Sequence, residues 1–350
     1  MRSQKSRNPR TIGDYHLAAP SKSGEKLLVI QPLPGIGDTI WHLPHLKALS
    51  NATPSKKITL LTKSRSLAKQ LLSETTFIKE VLYLSPDKEH HFGILGPFNL
   101  GKFLAPFKFD RVWILHNSAR YSIACWWAGI PNRIGFGIGW QDAFLTSAHT
   151  LSKNDKKLNA IEKSTRLLQL NNITIHDDKP TLNFSEAILK SAAQNLPKGK
   201  ALSIALAIGS SEPRKQWGTE NFIKLIEELN NKLNPNIVLV GGKEDAEMAR
   251  SISLHFSNPI WIKTLINYPI LEAAAVTKFC HVCIGNDTGI LNVAAAAGTQ
   301  AFGIFCGSKP LNPDPLITPI EDNERNRGKL QTTVTPEMIL EVLSASGFVK

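Results

Sequence analysis

Short apolar runs rich in β-branched residues alternate along this chain with longer stretches whose apolar positions recur every three or four residues. The first pattern predicts strands buried on both faces, and the second predicts amphipathic helices. Residues 26–31 form the first such strand, 32–37 a glycine-bearing turn, and Asp38 opens a helix with Ile40, Leu43, Leu46 and Leu49 at helical spacing. Pro44 is expected to kink or offset that helix. Strands over 58–62, 78–84 and 111–116 then alternate with helices over 66–72 and 118–129. A helical stretch over 158–170 leads into the polar DDKPTLNF at 177–184, which reads as a linker. The alternation restarts with strands at 201–208, 237–242, 259–263 and 279–285 and helices at 219–233, 244–256, 269–276 and 288–297. Pro269 suits a first helical position. Such βα alternation predicts two α/β domains with parallel sheets, whose strand C-terminal edges face one cleft.

Composition narrows this picture. A chain of 350 residues with 42% hydrophobic and 20% charged residues is expected to be globular and to bury two cores. No run reaches the length of a membrane span, and the start MRSQKSRNPR lacks the apolar core of a secretory signal, so a cytoplasmic location is expected. The four cysteines, Cys125, Cys280, Cys283 and Cys306, read as reduced core residues; one C-x-x-C without a second pair or a spaced histidine is a poor metal site.

Charge is uneven. Residues 1–150 carry a net +10 and residues 151–350 only +2, and residues 1–26, a Ser- and Lys/Arg-rich stretch resembling a disordered tail, account for +4 of the excess. A basic folded N-terminal domain suits an anionic partner such as a phosphorylated sugar or an acidic lipid headgroup. No zinc-finger spacing or ribonucleoprotein motif supports nucleic acid.

Two glycine turns carry candidate chemistry. GNDTGILNVAAAAGT, 285–299, joins an apolar run to an Ala-rich helix through Asn286, Asp287, Thr288 and Gly289. A strand feeding a helix start aims free N–H groups and the positive dipole end at an anion, commonly a phosphate; alternatively Asp287 is a plain N-cap. The turn PLPGIGD, 32–38, repeats the arrangement. Gly35 and Gly37 supply G-x-G, but Ile40 stands where a third glycine belongs and the next strand lacks a terminal acid, so a dinucleotide site is disfavoured.

These turns, together with AIGSSEPRKQWGTENF at 207–222, resemble the ADP-heptose:lipopolysaccharide heptosyltransferases, glycosyltransferase family 9. The resemblance extends over residues 26 to 310 and rests on Gly37 and Asp38 followed by Leu43 and Pro44, on Lys215 and Trp217, and on Asp287, Thr288 and Gly289. It implies a GT-B fold of two Rossmann-like domains: a basic tail at 1–25, an acceptor domain at 26–176, a nucleotide-sugar domain at 185–334, and a final helix within 335–350 packing back across the domains.

The resemblance also implies roles. Asp38 would be the general base on the acceptor hydroxyl, in a loop shaped by Gly35 and Gly37. Lys215, with the Thr288 and Gly289 amides, would hold the departing diphosphate, with Ser210 and Ser211 adding hydrogen bonds. Glu244 or Asp245 would take the donor ribose; both stay open. No Asp-x-Asp triplet occurs, which agrees with a metal-independent mechanism. The resemblance further implies an inverting transfer from an ADP-sugar, without cofactor, to an anionic glycolipid met in transient contact with the inner leaflet. Trp217, Trp126 and Trp127 read as packing residues as readily as site residues. Where the family commonly has histidine, this chain has Asn292, which can donate a hydrogen bond but carry no charge. That departure leaves two alternatives: another nucleotide sugar or a protein acceptor on the same fold, or a non-catalytic nucleotide-binding protein.

Overall fold

The computed structural model describes residues 24–85, 91–210, 212–306, 310, 316–321 and 334–348. Packing divides the chain into two units, the first formed by residues 1–32, 45–63 and 77–176 and the second by 33–44, 64–76 and 177–350. The chain passes from one to the other between His176 and Asp177, at the start of the expected linker. Leu182 in that linker is buried, and its N–H donates to the Ala296 carbonyl (2.9 Å), so the segment packs on the second unit. The expected tail lies outside the described residues as far as residue 23. Glu25, by contrast, is buried and pairs with Arg111 (3.1 Å), so the folded chain includes it.

The first unit holds a parallel sheet of β1 (Leu27–Ile30), β2 (Ile58–Lys63), β3 (Ile78–Leu84), β4 (Arg111–Ile114) and β5 (Asn132–Gly135), in the order β3-β2-β1-β4-β5. Its helices are the C-terminal part of α1 (Ile36–Asn51), α3 (Gly96–Leu104), α4 (Ala119–Trp127) and α5 (Ala160–Leu170); the short α2 (Ala68–Leu71) belongs to the second unit. Leu28, Ile30, Leu61, Val112 and Ile114 bury one face of the central strands and Leu27, Val29, Leu60 and Trp113 are buried at the alternate positions, which is why those strands read as unbroken apolar runs.

The second unit contains β6 (Ser203–Ala207), β7 (Asn236–Gly241), β8 (Ile262–Ile266), β9 (Val282–Asn286), β10 (Gln300–Phe305) and β11 (Ile317–Glu321), all parallel and ordered β11-β10-β9-β6-β7-β8. Around it run α6 (Glu186–Gln194), α7 (Thr219–Leu233), α8 (Ala246–His255), α9 (Ile270–Lys278), α10 (Gly289–Ala296) and α11 (Pro336–Ala345). Central strands approach closely: a Cβ on Gly285 would fall on the Ala207 carbonyl of the neighbouring strand, so β9 has room only for glycine there.

Several boundaries differ from the sequence reading. α1 begins at Ile36, two residues before Asp38, and continues through Pro44 to Asn51. The helix expected over 66–72 is a single turn after a 3-10 turn at Ser64–Ser66, and Leu67 before it has φ 53°, a left-handed value that stops the helix from starting earlier. β8 runs later than expected because Pro259 lies in the preceding turn. Pro269 stands at the N-cap of α9, one residue outside the helix. The final helix, expected to pack across the domains, buries Ile339, Leu340 and Leu343 in the second unit's own core beside Phe222 and Ile226. All four cysteines are buried and free, and burial pushes the Cys280 thiol up to about 12, so they are inert packing residues. Among the described residues no helix is long and apolar enough to cross a membrane.

Candidate functional site

Sheet order creates the site. After β6 the chain turns toward β7, and after β9 it turns the other way toward β10, although β6 and β9 are hydrogen-bonded neighbours. Open α/β sheets bind ligands outside the strand C-termini at such a reversal. Here the loop 208–217 and the turn 287–289 emerge side by side.

Asn286, fully buried at the end of β9, ties them together. Its Nδ2 donates to the carbonyls of Ile208 (2.8 Å) and Gly209 (3.1 Å) and to Gln216 Oε1 (2.8 Å), and its Oδ1 accepts from the Trp217 N–H (3.1 Å). Four neighbours thus fix one carboxamide, a network that holds both loops in a single geometry. Trp217 itself is core: it is 2% exposed, its indole donates to the Val334 carbonyl (2.8 Å), and its ring meets Phe222 edge-on.

The head of α10 is built for an anion. Thr288, not Asp287, is the N-cap, with no side-chain capping bond, and its Oγ1 is buried without a hydrogen-bond partner among the described residues. A helix start whose cap hydroxyl and first N–H groups lack protein acceptors attracts negative charge. Asp287 instead holds Lys215: Nζ lies 2.8 Å from Asp287 Oδ2 and 3.6 Å from Glu212 Oε1, with both members of the shorter pair largely buried. Lys215 closes a 3-10 turn over Pro213–Lys215 that delivers its ammonium to this point. An ammonium has three donors, so two carboxylates leave capacity for an incoming phosphate oxygen. Arg214 first, and then Lys215, hold the Glu212 carboxyl below the usual carboxylate range.

Asp38 belongs to the same unit. It occupies the first turn of α1, where its Oδ2 accepts the Gly35 N–H (2.9 Å), half of a capping box. A Cβ on Gly35 would lie 2.7 Å from that oxygen, so glycine is what lets the carboxylate fold back. The two glycine turns also meet: a Cβ on Gly289 would lie 2.7 Å from Ile36 Cβ, and one on Gly37 3.2 Å from Asn292 Nδ2. Asn292 is buried and engaged at both ends, its Oδ1 accepting from the Trp41 indole (2.6 Å) and its Nδ2 donating to the Thr288 carbonyl (2.8 Å). One partner only donates and the other only accepts, so the amide orientation is fixed. One turn along α1, the buried His42 donates from Nδ1 to the Asp38 carbonyl (2.7 Å), and burial lowers its pKa to about 4, keeping it neutral.

The remaining expected residues fall into place unevenly. Ser210 Oγ donates to the Glu212 carbonyl (2.8 Å) and so shapes its own loop; Ser211 lies outside the described residues. Asp245 is half-buried at the end of β7, with Oδ2 accepting the Gly242 N–H (2.7 Å) and no room for a Cβ on the adjacent Gly209; burial raises its pKa. Glu244 beside it is exposed. Among the described residues no three His, Cys, Asp or Glu side chains cluster as metal ligands do.

The first unit carries a separate constellation at its own order reversal. His116 follows β4; its Nδ1 accepts the Ser118 N–H (3.0 Å), so this nitrogen carries no proton. Burial, then Lys63, Arg120 and Lys163, lower the His116 pKa to about 4. Lys163 reaches in from α5 to Asn117 Oδ1 (3.4 Å) while itself buried. Three cations around a neutral imidazole form a positively charged patch that bulk composition only hinted at. Gln216 and Trp41 were likewise missed, and Asn286 was read only as part of the 285–289 turn, not as the residue that ties the two loops together. The one available signal was a polar side chain closing an apolar strand, which must find partners on burial.

Comparison with known proteins gives this geometry relatives. The family model "Glycosyltransferase family 9 (heptosyltransferase)" matches residues 98–338. Lipopolysaccharide heptosyltransferase 2 of Salmonella typhimurium is 25% identical over 233 residues, covering 62% of this chain and 65% of the relative, so the match spans a little under two thirds of that protein. A family 9 glycosyl transferase from Veillonella parvula superimposes with a TM-score of 0.75 at 20% identity, covering 92% of this chain and 96% of that one. The Escherichia coli heptosyltransferase WaaC, solved with ADP-2-deoxy-2-fluoro heptose, gives 0.71 at 15% identity with 92% and 99% covered. These likenesses establish the GT-B fold.

Proposed function

The chain belongs to glycosyltransferase family 9, the heptosyltransferases, and from that premise we propose that it is an inverting transferase moving a heptose or similar sugar from an ADP-sugar to an anionic lipopolysaccharide core precursor. The observation that carries this reading is the head of α10, where the uncapped, buried Thr288 hydroxyl and the Lys215 ammonium stand ready for a diphosphate. The WaaC structure, with its ADP-sugar analogue, supports ADP as the nucleotide.

In this reaction the acceptor hydroxyl passes its proton to the Asp38 carboxylate as its oxygen attacks the anomeric carbon. The bond from that carbon to the diphosphate breaks on the opposite face, inverting the configuration, and the electron pair leaves with ADP. Lys215 and the Thr288 and Gly289 amides receive the charge that develops on the leaving oxygens, the task a metal performs in other transferases; we propose that no metal is needed. Glu244 takes the ribose hydroxyls, because Asp245 is committed to the β7 turn. The basic constellation of the first unit, Lys63, Arg120 and Lys163, taken by itself suits an anionic acceptor of this class. Such an acceptor would be met at the cytoplasmic face of the inner membrane.

A different nucleotide sugar is the second reading, favoured by Asn292, whose carboxamide is spent on Trp41 and Thr288 and brings no charge to the phosphates. Thermal unfolding against ADP, UDP, GDP and CMP separates the two. A nucleotide at about 100 times its dissociation constant adds about 2.7 kcal/mol to a native state that alone binds it. Stabilisation by ADP above the others is the expected result. Preference for another nucleotide would move the donor assignment, and no response to any would favour a non-catalytic protein.

A further inference from the structure

Sugar transfer at this site requires two turns of the second unit to keep a fixed relation: 35–38, which carries Asp38, and 287–289, which receives the diphosphate. Trp41 lies three residues along α1 from Asp38, and Asn292 lies one turn into α10 from Thr288. Their side chains meet. The half-buried Trp41 donates its indole N–H to Oδ1 of the buried Asn292 (2.6 Å), and Asn292 Nδ2 donates onward to the Thr288 carbonyl (2.8 Å). The relay thus runs from the first turns of α1, which bear the base, to the N-cap residue whose hydroxyl has no partner among the described residues.

The contacts around this relay are close but set no direction. Gly289 faces Ile36 and Gly37 faces Asn292, each glycine allowing an approach that a Cβ would obstruct. Contacts of that kind bring two helix starts together yet permit sliding, whereas a hydrogen bond to a carboxamide held at both ends fixes their register. α1 has particular need of such an anchor. Pro44 lies inside the helix and has no N–H to give to the Ile40 carbonyl, so the backbone ladder lacks one bond just beyond Trp41. Precision matters here because displacing a reacting group by about 1 Å can cost on the order of 10²-fold in rate.

We propose that Trp41 is a positioning residue: through Asn292 it holds the Asp38 turn in register with the Thr288 turn, so that base and leaving-group site address the same sugar. The kinetic consequence rests on the transferase reading, but the clasp itself is measured without substrate. The test compares the wild-type chain with Trp41→Phe, which keeps an aromatic ring and removes the N–H. In the nucleotide-free chain, amide hydrogen exchange should quicken in both segments, 35–43 and 288–292. With ADP-heptose and a lipopolysaccharide acceptor lacking that heptose, kcat should fall about tenfold or more while KM for ADP-heptose stays within about twofold, because each turn keeps its own contacts. The double variant Trp41→Phe, Asn292→Leu removes both partners and leaves neither unpaired, so the melting temperature should return toward the wild-type value while turnover should not. Unchanged exchange at either segment, wild-type kcat in Trp41→Phe, a KM that rises as far as kcat falls, or turnover regained in the double variant would overturn the proposal. A wild-type chain that transfers no sugar would count against the transferase reading, and the exchange comparison would still decide the clasp.

Discussion

Replacing Asp38 with asparagine should lower sugar transfer by about three orders of magnitude while leaving nucleotide binding and folding nearly unchanged. Positioned general bases contribute on the order of 10²–10⁴ in rate, and the carboxamide removes the proton acceptor without removing volume. Geometry should survive, because the asparagine Oδ1 can accept the Gly35 N–H that Asp38 Oδ2 accepts now. A neutral group in the first helical turn also gives up part of the favourable charge–dipole interaction, worth about 0.3–1 kcal/mol, too little to unfold the unit. The measurement is turnover of the variant beside its thermal shift with the preferred nucleotide. Transfer within tenfold of the wild type would remove Asp38 from the chemistry. Lost transfer together with a lost thermal shift would mean that the variant had disturbed the turn rather than the base.

The second large effect is expected at Lys215. Removing one preorganised charge-stabilising donor typically costs on the order of 10²–10³ in kcat, so Lys215→Ala should fall by about that factor and lose nucleotide affinity as well. Stability should fall too, since Asp287 loses an ammonium 2.8 Å away in a largely buried setting. Lys215→Arg separates these contributions: it restores the charge beside Asp287 but not the compact point charge, so stability should recover further than turnover. Equal recovery of both would make Lys215 a structural partner of Asp287 and move the leaving-group role elsewhere.

Much of the fold was legible because parallel strands buried on both faces, such as LLVI at β1 and NIVLVG at β7, leave apolar runs that few other structures produce. α7 followed its expected bounds at Thr219–Leu233 because its apolar positions repeat cleanly and Gly218 stands before it. Weakly patterned elements escaped notice. α3 contains two glycines and a proline, β5 is four residues with a polar start, and β11 carries Pro319 at a sheet edge, so none carries a strong local signature. The position of the 287–289 turn was readable because a strand that runs straight into a helix puts the turn at a sheet edge, whereas Lys215 was singled out by the resemblance alone. Partners set by tertiary contact were not: nothing in the sequence links Trp41 to Asn292, 251 positions away, or Lys163 to His116. Nor does the sequence show that the β7 turn engages Asp245, whose carboxylate accepts the Gly242 N–H, rather than the neighbouring Glu244.

The central claim is tested most directly by incubating the purified chain with ADP-heptose and a lipopolysaccharide acceptor lacking that heptose, in the presence of EDTA, and determining the anomeric configuration of the product. The account predicts release of ADP, a new glycosidic bond with configuration opposite to that of the donor, and a rate indifferent to chelation. A product of retained configuration, a rate abolished by EDTA and restored by a divalent cation, or transfer only from a sugar on another nucleotide would contradict it.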